Sequence, residues 1–130
     1  MNIKSKLLIA ILTLYSFHAC KYEPYSQGKE LYEFYCANCH SSDGSGLEEL
    51  IPDIRNSSFY SSNKSQLACI IRKGIVSQDS ALIMDMPGAD KLSSFEISNI
   101  INYINHQWND DFKEVLILEI EADLKACPKE

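Results

Sequence analysis

Two cysteines and a histidine stand together in the segment YCANCH, residues 35–40. Cys36 and Cys39 are three positions apart, and His40 follows directly. Three kinds of chemistry use this pattern: a redox-active dithiol, half of a zinc site, and the covalent attachment of haem. Cysteines at i and i+3 of a helix project from the same side, which suits two thioether bonds to one porphyrin edge, and the next residue can then offer an imidazole to the iron.

The rest of the chain favours haem over the other two chemistries. A redox dithiol belongs to a βαβ setting, and no predicted strand alternates with helices here. A zinc site needs a second ligand pair. The remaining cysteines are far apart in the sequence, and the spacing of His106 does not match that of a zinc ligand. The motif therefore predicts one covalent haem c, attached through Cys36 and Cys39, with His40 as an axial iron ligand.

The first residues have the pattern of an export signal. A basic head with two lysines precedes the uncharged apolar run LLIAILTLYSF at residues 7–17, and Ala19 stands just before Cys20. The run is shorter than the ~20 residues of a transmembrane helix, so residues 1–19 are predicted to be a cleaved signal peptide. The Ala-Cys boundary resembles a bacterial lipoprotein signal, which implies lipidation of Cys20. An ordinary signal that leaves Cys20 free or paired, and an uncleaved anchor, are the alternatives.

The composition is that of a soluble globular protein, with 45% hydrophobic and 23% charged residues. Loss of residues 1–19 removes two lysines and no acid, so the formal net charge goes from −6 to −8 (−6 − 2). This acidity argues against nucleic acid, which requires a basic surface. It favours protein partners with basic patches, met in a salt-dependent encounter. We predict redox protein partners, an exported protein on the periplasmic face of a bacterial membrane, and no small-molecule substrate.

The element that must carry the motif is a helix predicted from Ser26, as cap, through Cys39. Apolar or small residues recur at helical spacing on one of its faces: Gly28, Tyr32, Tyr35 and Cys39. The segment HSSDGSG then ends the helix, because glycines and small polar residues suit a tight turn.

Three further helices are predicted. One covers residues 64–74, and the clearest covers residues 93–108, with a capping box of Ser93 and Glu96 and apolar residues every three or four positions. The last lies in residues 118–127. The sequence thus predicts an all-α chain of about four short helices with long loops, and loops of that length are uncommon unless something fills the space between them. A large apolar cofactor would supply the missing core.

Four segments within residues 26–110 resemble the class I cytochrome c family: GKELYEFYCANCHSSDGSG, LACIIRKGI, MPG and KLSSFEISNIINYI. In that family an N-terminal helix precedes the haem motif, a loop, the methionine that is the sixth iron ligand, and a C-terminal helix that crosses the first. The resemblance implies a cytochrome c-like fold around the haem, with Gly28 and Tyr103 at the helix crossing. The family usually has glycine just after the motif, where this chain has Ser41 and Ser42.

The resemblance also implies the other residues of the site. Met86 directly precedes a proline, as the family's sixth ligand does, and proline fixes the backbone beside the thioether. Met84 is a competitor two positions away, and His106 would give bis-histidine ligation. Pro52 resembles the family proline whose carbonyl accepts the other N–H of the proximal histidine, a bond that would orient His40, and a simple loop proline is the alternative.

The cysteine count leaves one pair to place. Haem takes Cys36 and Cys39, and lipid takes Cys20, so Cys69 and Cys127 remain. In an oxidising compartment we predict a disulfide between them, with two buried thiols as the alternative.

The chain is therefore predicted to consist of a signal peptide (1–19), a tether (20–25), a monohaem cytochrome c domain (26–110) and a C-terminal extension (111–130). Its predicted function is that of a one-electron carrier in a respiratory chain, not an enzyme. A haem-based ligand sensor, or a haem subunit of a larger redox enzyme complex, is the alternative. A haem-free thiol oxidoreductase is a third possibility.

Overall fold

The computed structural model describes residues 23–48, 50–55, 57–76, 84–109 and 113–128, so the predicted signal peptide and Cys20 lie outside it. The helices in this part of the chain are α1 (Ser26–Tyr35), α2 (Ala37–His40), α3 (Ser58–Ser62), a 3₁₀ turn (Lys64–Gln66), α4 (Leu67–Lys73), α5 (Ser94–Trp108) and α6 (Ile117–Ala126). Two short strands, β1 (Gly74–Ile75) and β2 (Met86–Pro87), separate α4 from α5. The predicted all-α fold class is confirmed. None of the helices in these ranges is both long and apolar enough to cross a membrane.

The first helix differs from its prediction at both ends. Ser26 is its first helical residue rather than its cap, and the residue before it has φ 60° and makes no side-chain capping bond. The helix ends at the motif, because the backbone departs from helical geometry at Cys36 (φ −119°, ψ −40°) before α2 begins. The predicted inner face therefore holds for Gly28 and Tyr32, which are buried, but not for Tyr35, which is 45% exposed.

Helices α1 and α5 cross at Gly28. A Cβ atom at this position would lie 2.1 Å from the carbonyl oxygen of Asn99 and 2.8 Å from Cβ of Tyr103. Only glycine allows two helix backbones to approach so closely. The predicted crossing at Gly28 and Tyr103 is confirmed.

Helix α5 forms the centre of the core. It begins at the predicted capping box, in which Ser93 Oγ accepts the Glu96 N–H at 3.3 Å and the Glu96 carboxylate accepts the Ser93 N–H at 2.7 Å. Its apolar stripe is buried as predicted, and each of the longer helices packs against it. The core consists mainly of Tyr32, Tyr60, Leu67, Ala68, Leu92, Ile97, Ile100, Ile101, Tyr103, Ile104 and Ile120.

Between α4 and α5 the chain forms a strand pair that the sequence did not indicate, and β1 begins at Gly74, the last residue of the helix predicted over residues 64–74. β1 and β2 are antiparallel, with Gly74 opposite Pro87 and Ile75 opposite Met86. Two residues are too few for a period of two to be visible in the sequence. The pairing fixes the position of Met86 relative to α4.

Candidate functional site

The motif folds as one helical turn at the end of α1. Cys36 donates its N–H to the carbonyl of Tyr32 at 2.8 Å, and its own carbonyl accepts the N–H groups of Cys39 (3.1 Å) and His40 (2.9 Å). Both cysteines are half-buried, and neither is in a disulfide. The turn brings together what two thioether bonds and a neighbouring imidazole require.

The surroundings of Cys36 do not suit thiol chemistry. Burial, with a smaller contribution from the nearby Cys39, raises the pKa of the Cys36 thiol to about 12. A redox-active dithiol instead needs a thiol with a lowered pKa, because the thiolate is the nucleophile. A thioether carries no charge, so the same burial costs it nothing of this kind.

The surroundings of His40 suit a metal ligand. Burial lowers the pKa of its imidazole, which favours the neutral form that binds metals. Its Nδ1 is buried and makes no hydrogen bond to any described residue. A buried ring nitrogen without a hydrogen-bond partner is unfavourable. A group bound to the other ring nitrogen would explain why the ring keeps this orientation. The residues present thus fit a covalently held haem.

The hydrogen bond predicted from His40 to Pro52 is not formed in this structure, since Nδ1 has no partner among the described residues. Pro52 nevertheless lies in a loop that pairs with the turn after the motif. Ile54 donates its N–H to the carbonyl of Gly44 at 3.0 Å, and Gly46 donates to the carbonyl of His40 at 3.0 Å. Pro52 is exposed and stands two residues before Ile54 in this loop.

A tyrosine that the sequence placed only in the core also holds the turn after His40. The hydroxyl of Tyr32 donates to the carbonyl of Ser41 at 2.8 Å, and the hydroxyl of Ser41 donates to the carbonyl of Gly46 at 2.8 Å. Ser41 has φ 63°, an unusual value for a residue with a side chain. Trp108 packs against Tyr32 with ring centroids 5.3 Å apart, and so closes the core beside this turn. No local pattern indicates the hydroxyl contact, because the two residues are nine positions apart.

An ion-pair cluster links the two loops beside the motif at the surface. The Arg55 guanidinium lies 2.6 Å from a carboxylate oxygen of Asp53 and 3.4 Å from one of Asp43. Hydrogen bonds from Arg55 lower the pKa of Asp53, and hydrogen bonds from Ser45, aided by Arg55, lower that of Asp43. All three charges are well exposed, so the cluster orders the loops more than it stabilises the fold.

The candidates for the sixth ligand differ in their surroundings. Met86 is half-buried in β2, whereas Met84 is 48% exposed. His106 is exposed and its ring lies 5.4 Å from that of Tyr25. Tyr25 precedes α1, so His106 lies near the opposite end of that helix from Cys36. Burial therefore favours Met86 over both alternatives, and position also argues against His106.

The structure joins Cys69 and Cys127 by a disulfide, with their Cα atoms 5.7 Å apart. Both sulfur atoms are thereby withdrawn from any zinc site, which needs thiolates. Among the described residues, no group of three or more His, Cys, Asp or Glu side chains is placed to hold a metal ion.

Residues 23–104 match the protein family described as cytochrome c oxidase, cbb3-type, subunit III. The match covers more than half of the 130 residues and includes the motif, α4, β2 and most of α5. It stops before α6. No curated protein matches the chain.

Proposed function

The chain belongs to the family described as cytochrome c oxidase, cbb3-type, subunit III, and contains a c-type cytochrome domain with a role in haem-based electron transfer; from this premise we propose that it is a monohaem electron carrier of a respiratory chain. The observation that carries the proposal is the folding of Cys36, Cys39 and His40 as one helical turn within the matched residues. The carrier would work at the periplasmic face of a bacterial membrane.

Each residue of the site has a role in this proposal. Cys36 and Cys39 would hold the haem through thioether bonds, and His40 and Met86 would bind its iron. The haem iron supplies a one-electron couple when bound. With His40 and Met86 both bound to the iron, no position would remain open for a substrate, which supports electron transfer over catalysis. In the haem-loaded protein the carbonyl of Pro52 would accept the Nδ1–H of His40, which would satisfy the buried Nδ1.

The first test concerns the haem and its ligands. The protein should be produced in a host that attaches haem, and its mass should exceed that of the mature chain by one haem. The ferric protein should show the methionine-to-iron absorption band, which Met86→Ala should abolish and Met84→Ala should leave intact. Met86→Ala should also lower the reduction potential, since thioether ligation raises it.

Three results would count against parts of this assignment. Protein without covalent haem, from a competent host, would contradict the cytochrome function. A band that survives Met86→Ala would transfer the ligand role to Met84. Rapid carbon monoxide binding by the reduced wild type at neutral pH would favour a ligand sensor. Met86→Ala, which would leave one iron position free, is the positive control for carbon monoxide binding.

A second candidate function follows from the family description, which names an oxidase subunit. On this alternative the domain docks permanently in a larger redox complex instead of moving between partners. Gentle solubilisation of membranes and size-exclusion chromatography separate the two. Stable co-migration of the haem protein with an oxidase would favour the subunit, and migration at the size of the single chain would favour the carrier.

Export and lipidation are proposed from the sequence alone, since residues 1–19 and Cys20 lie outside the described residues. The mass of the mature protein should correspond to a chain that begins at a lipid-modified Cys20. Cys20→Ser should release the cytochrome from the membrane fraction. A wild type found entirely in the soluble fraction would remove the anchor from the proposal, but not the electron carrier.

A further inference from the structure

The C-terminal extension packs on the core, although it lies beyond the residues 23–104 that match the family. Ile120 of α6 is 1% exposed and belongs to the core, and Leu124 packs against it. Just before α6, the Asn102 side chain of α5 exchanges two hydrogen bonds with the backbone of Val115, at 3.0 and 2.8 Å. α6 is therefore a fixed part of the domain.

α6 is tied to α4 near both ends of α4. Close to the beginning of α4, Cys69 forms the disulfide with Cys127. At its end, the Lys73 ammonium donates to the carbonyl of Pro128 at 2.6 Å. The disulfide closes a loop with a sequence separation of 58, so α4 and the end of α6 stay together even when local contacts between them open.

α4 in turn holds the backbone on both sides of Met86. β1 follows α4 without a break, and its Ile75 pairs with Met86. Beyond the pair, Ala89 donates its N–H to the carbonyl of Ile71, within α4, at 2.8 Å. Gly88 lies so close to α4 that a Cβ atom there would come 2.6 Å from the carbonyl oxygen of Arg72.

We infer that the C-terminal extension positions the sixth iron ligand: the Cys69–Cys127 disulfide fixes α4, and α4 fixes the strand that carries Met86. The inference rests on the proposed function, in which Met86 binds the iron. A pair of two-residue strands has few hydrogen bonds of its own, so its local stability depends on the element it is attached to. When α4 can shift, the methionine sulfur leaves the iron more often, and an external ligand competes better for that position.

The test compares the wild-type holoprotein with the double variant Cys69→Ser, Cys127→Ser. One readout is the affinity of the ferric iron for imidazole, followed by loss of the methionine-to-iron band. It should rise roughly tenfold in the double variant, because methionine competes less well. The other readout is amide hydrogen exchange of residues 84–89, which should be faster by about tenfold because this segment opens more often. The second readout does not require Met86 to be a ligand.

Two further variants make the result specific. Lys73→Met removes the bond to Pro128 while the disulfide remains, and should change both readouts in the same direction by less. If the double variant fails to accumulate, Lys73→Met still tests the inference. Tyr60→Phe removes a buried hydrogen bond between α3 and α5 (Tyr60 to Asn105, 3.1 Å), which involves no residue of α4, and should leave the imidazole affinity unchanged.

Two results would overturn the inference: unchanged imidazole affinity and exchange in the double variant, or a rise in Tyr60→Phe as large as in the double variant. A wild type without the methionine-to-iron band would instead refute Met86 as an iron ligand. The inference that the C-terminal extension positions this ligand would then be refuted as well. Exchange of residues 84–89 would then decide whether the disulfide holds the strand.

Discussion

Gly28 is the residue at which α1 and α5 touch backbone to backbone. The atoms that a side chain would meet there are the carbonyl carbon and oxygen of Asn99 and the Cβ of Tyr103. None of these atoms can move away by a rotamer change, so the helices themselves would have to separate. This crossing holds α1, and with it the motif that follows α1, against the core.

Gly28→Ala should therefore destabilise the protein, although alanine is the better helix former by about 1 kcal/mol. Overpacking typically costs about 1–3 kcal/mol, and here it opposes and exceeds the gain in helix propensity. The measurement is the denaturant midpoint of the holoprotein. Gln27→Ala, at the exposed neighbouring position, is the control and should change the free energy of unfolding by less than about 0.5 kcal/mol. A stabilised Gly28→Ala variant would show that the helices do not meet here.

At the scale of elements, the beginning of α5 depends on one carboxylate. The N–H and hydroxyl of Ser93 both donate to the Glu96 carboxylate at 2.7 Å, and these hydrogen bonds lower its pKa below the ordinary value of 4.5. A carboxyl group whose pKa is lower in the folded state binds protons more weakly there than in the unfolded chain. Its contribution to stability is full above the unfolded pKa and is lost as the pH falls through the folded one.

Glu96→Gln should therefore be less stable than the wild type at pH 7, and the difference should shrink as the pH falls below about 4.5. The measurement is the free energy of unfolding of both proteins in denaturant between pH 3 and pH 7. Glu30→Gln, on the exposed side of α1, is the matched control for the loss of one negative charge. The capping role would be contradicted if the Glu96→Gln and Glu30→Gln curves had the same pH dependence.

At the scale of the whole molecule, the protein has to compensate for a small core. The buried residues gather around α5, and many large apolar side chains are exposed, among them Phe34 of α1 at 78% and Leu118 of α6 at 75%. A domain of this size buries a limited share of its surface. The disulfide between Cys69 and Cys127, which connects α4 with the C-terminal extension, contributes stability that this core does not supply.

Loss of the disulfide should lower the free energy of unfolding by about 4 kcal/mol, the chain-entropy value for a loop of this length. The measurement is the free energy of unfolding in urea, compared between the holoprotein with its disulfide intact and the Cys69→Ser, Cys127→Ser variant. Wild type unfolded in the presence of a thiol reductant controls for the effect of the serines. A difference below about 1 kcal/mol would mean that the unfolded chain is little constrained by the bond.

Features that depend on neighbouring residues could be predicted from the amino-acid sequence. The spacing of Cys36, Cys39 and His40 indicates haem attachment as one of three chemistries, because the relevant geometry lies within one helical turn. The position and cap of α5 followed in the same way, since a capping box and an apolar stripe both arise from contacts within a few positions. The Met-Pro pair and the order of the segments were sufficient to identify the family resemblance.

Contacts between residues far apart in the chain could not be predicted from sequence patterns and are seen only in the fold. The pairing of Ile75 with Met86 and the contact of Tyr32 with Ser41 each join segments without a shared local pattern. Burial is likewise a property of the assembled fold, and it is burial that raises the pKa of Cys36 and lowers that of His40. Spacing can bring the right atoms to one helical turn, but the dielectric around those atoms is set by the helices and loops that pack over them.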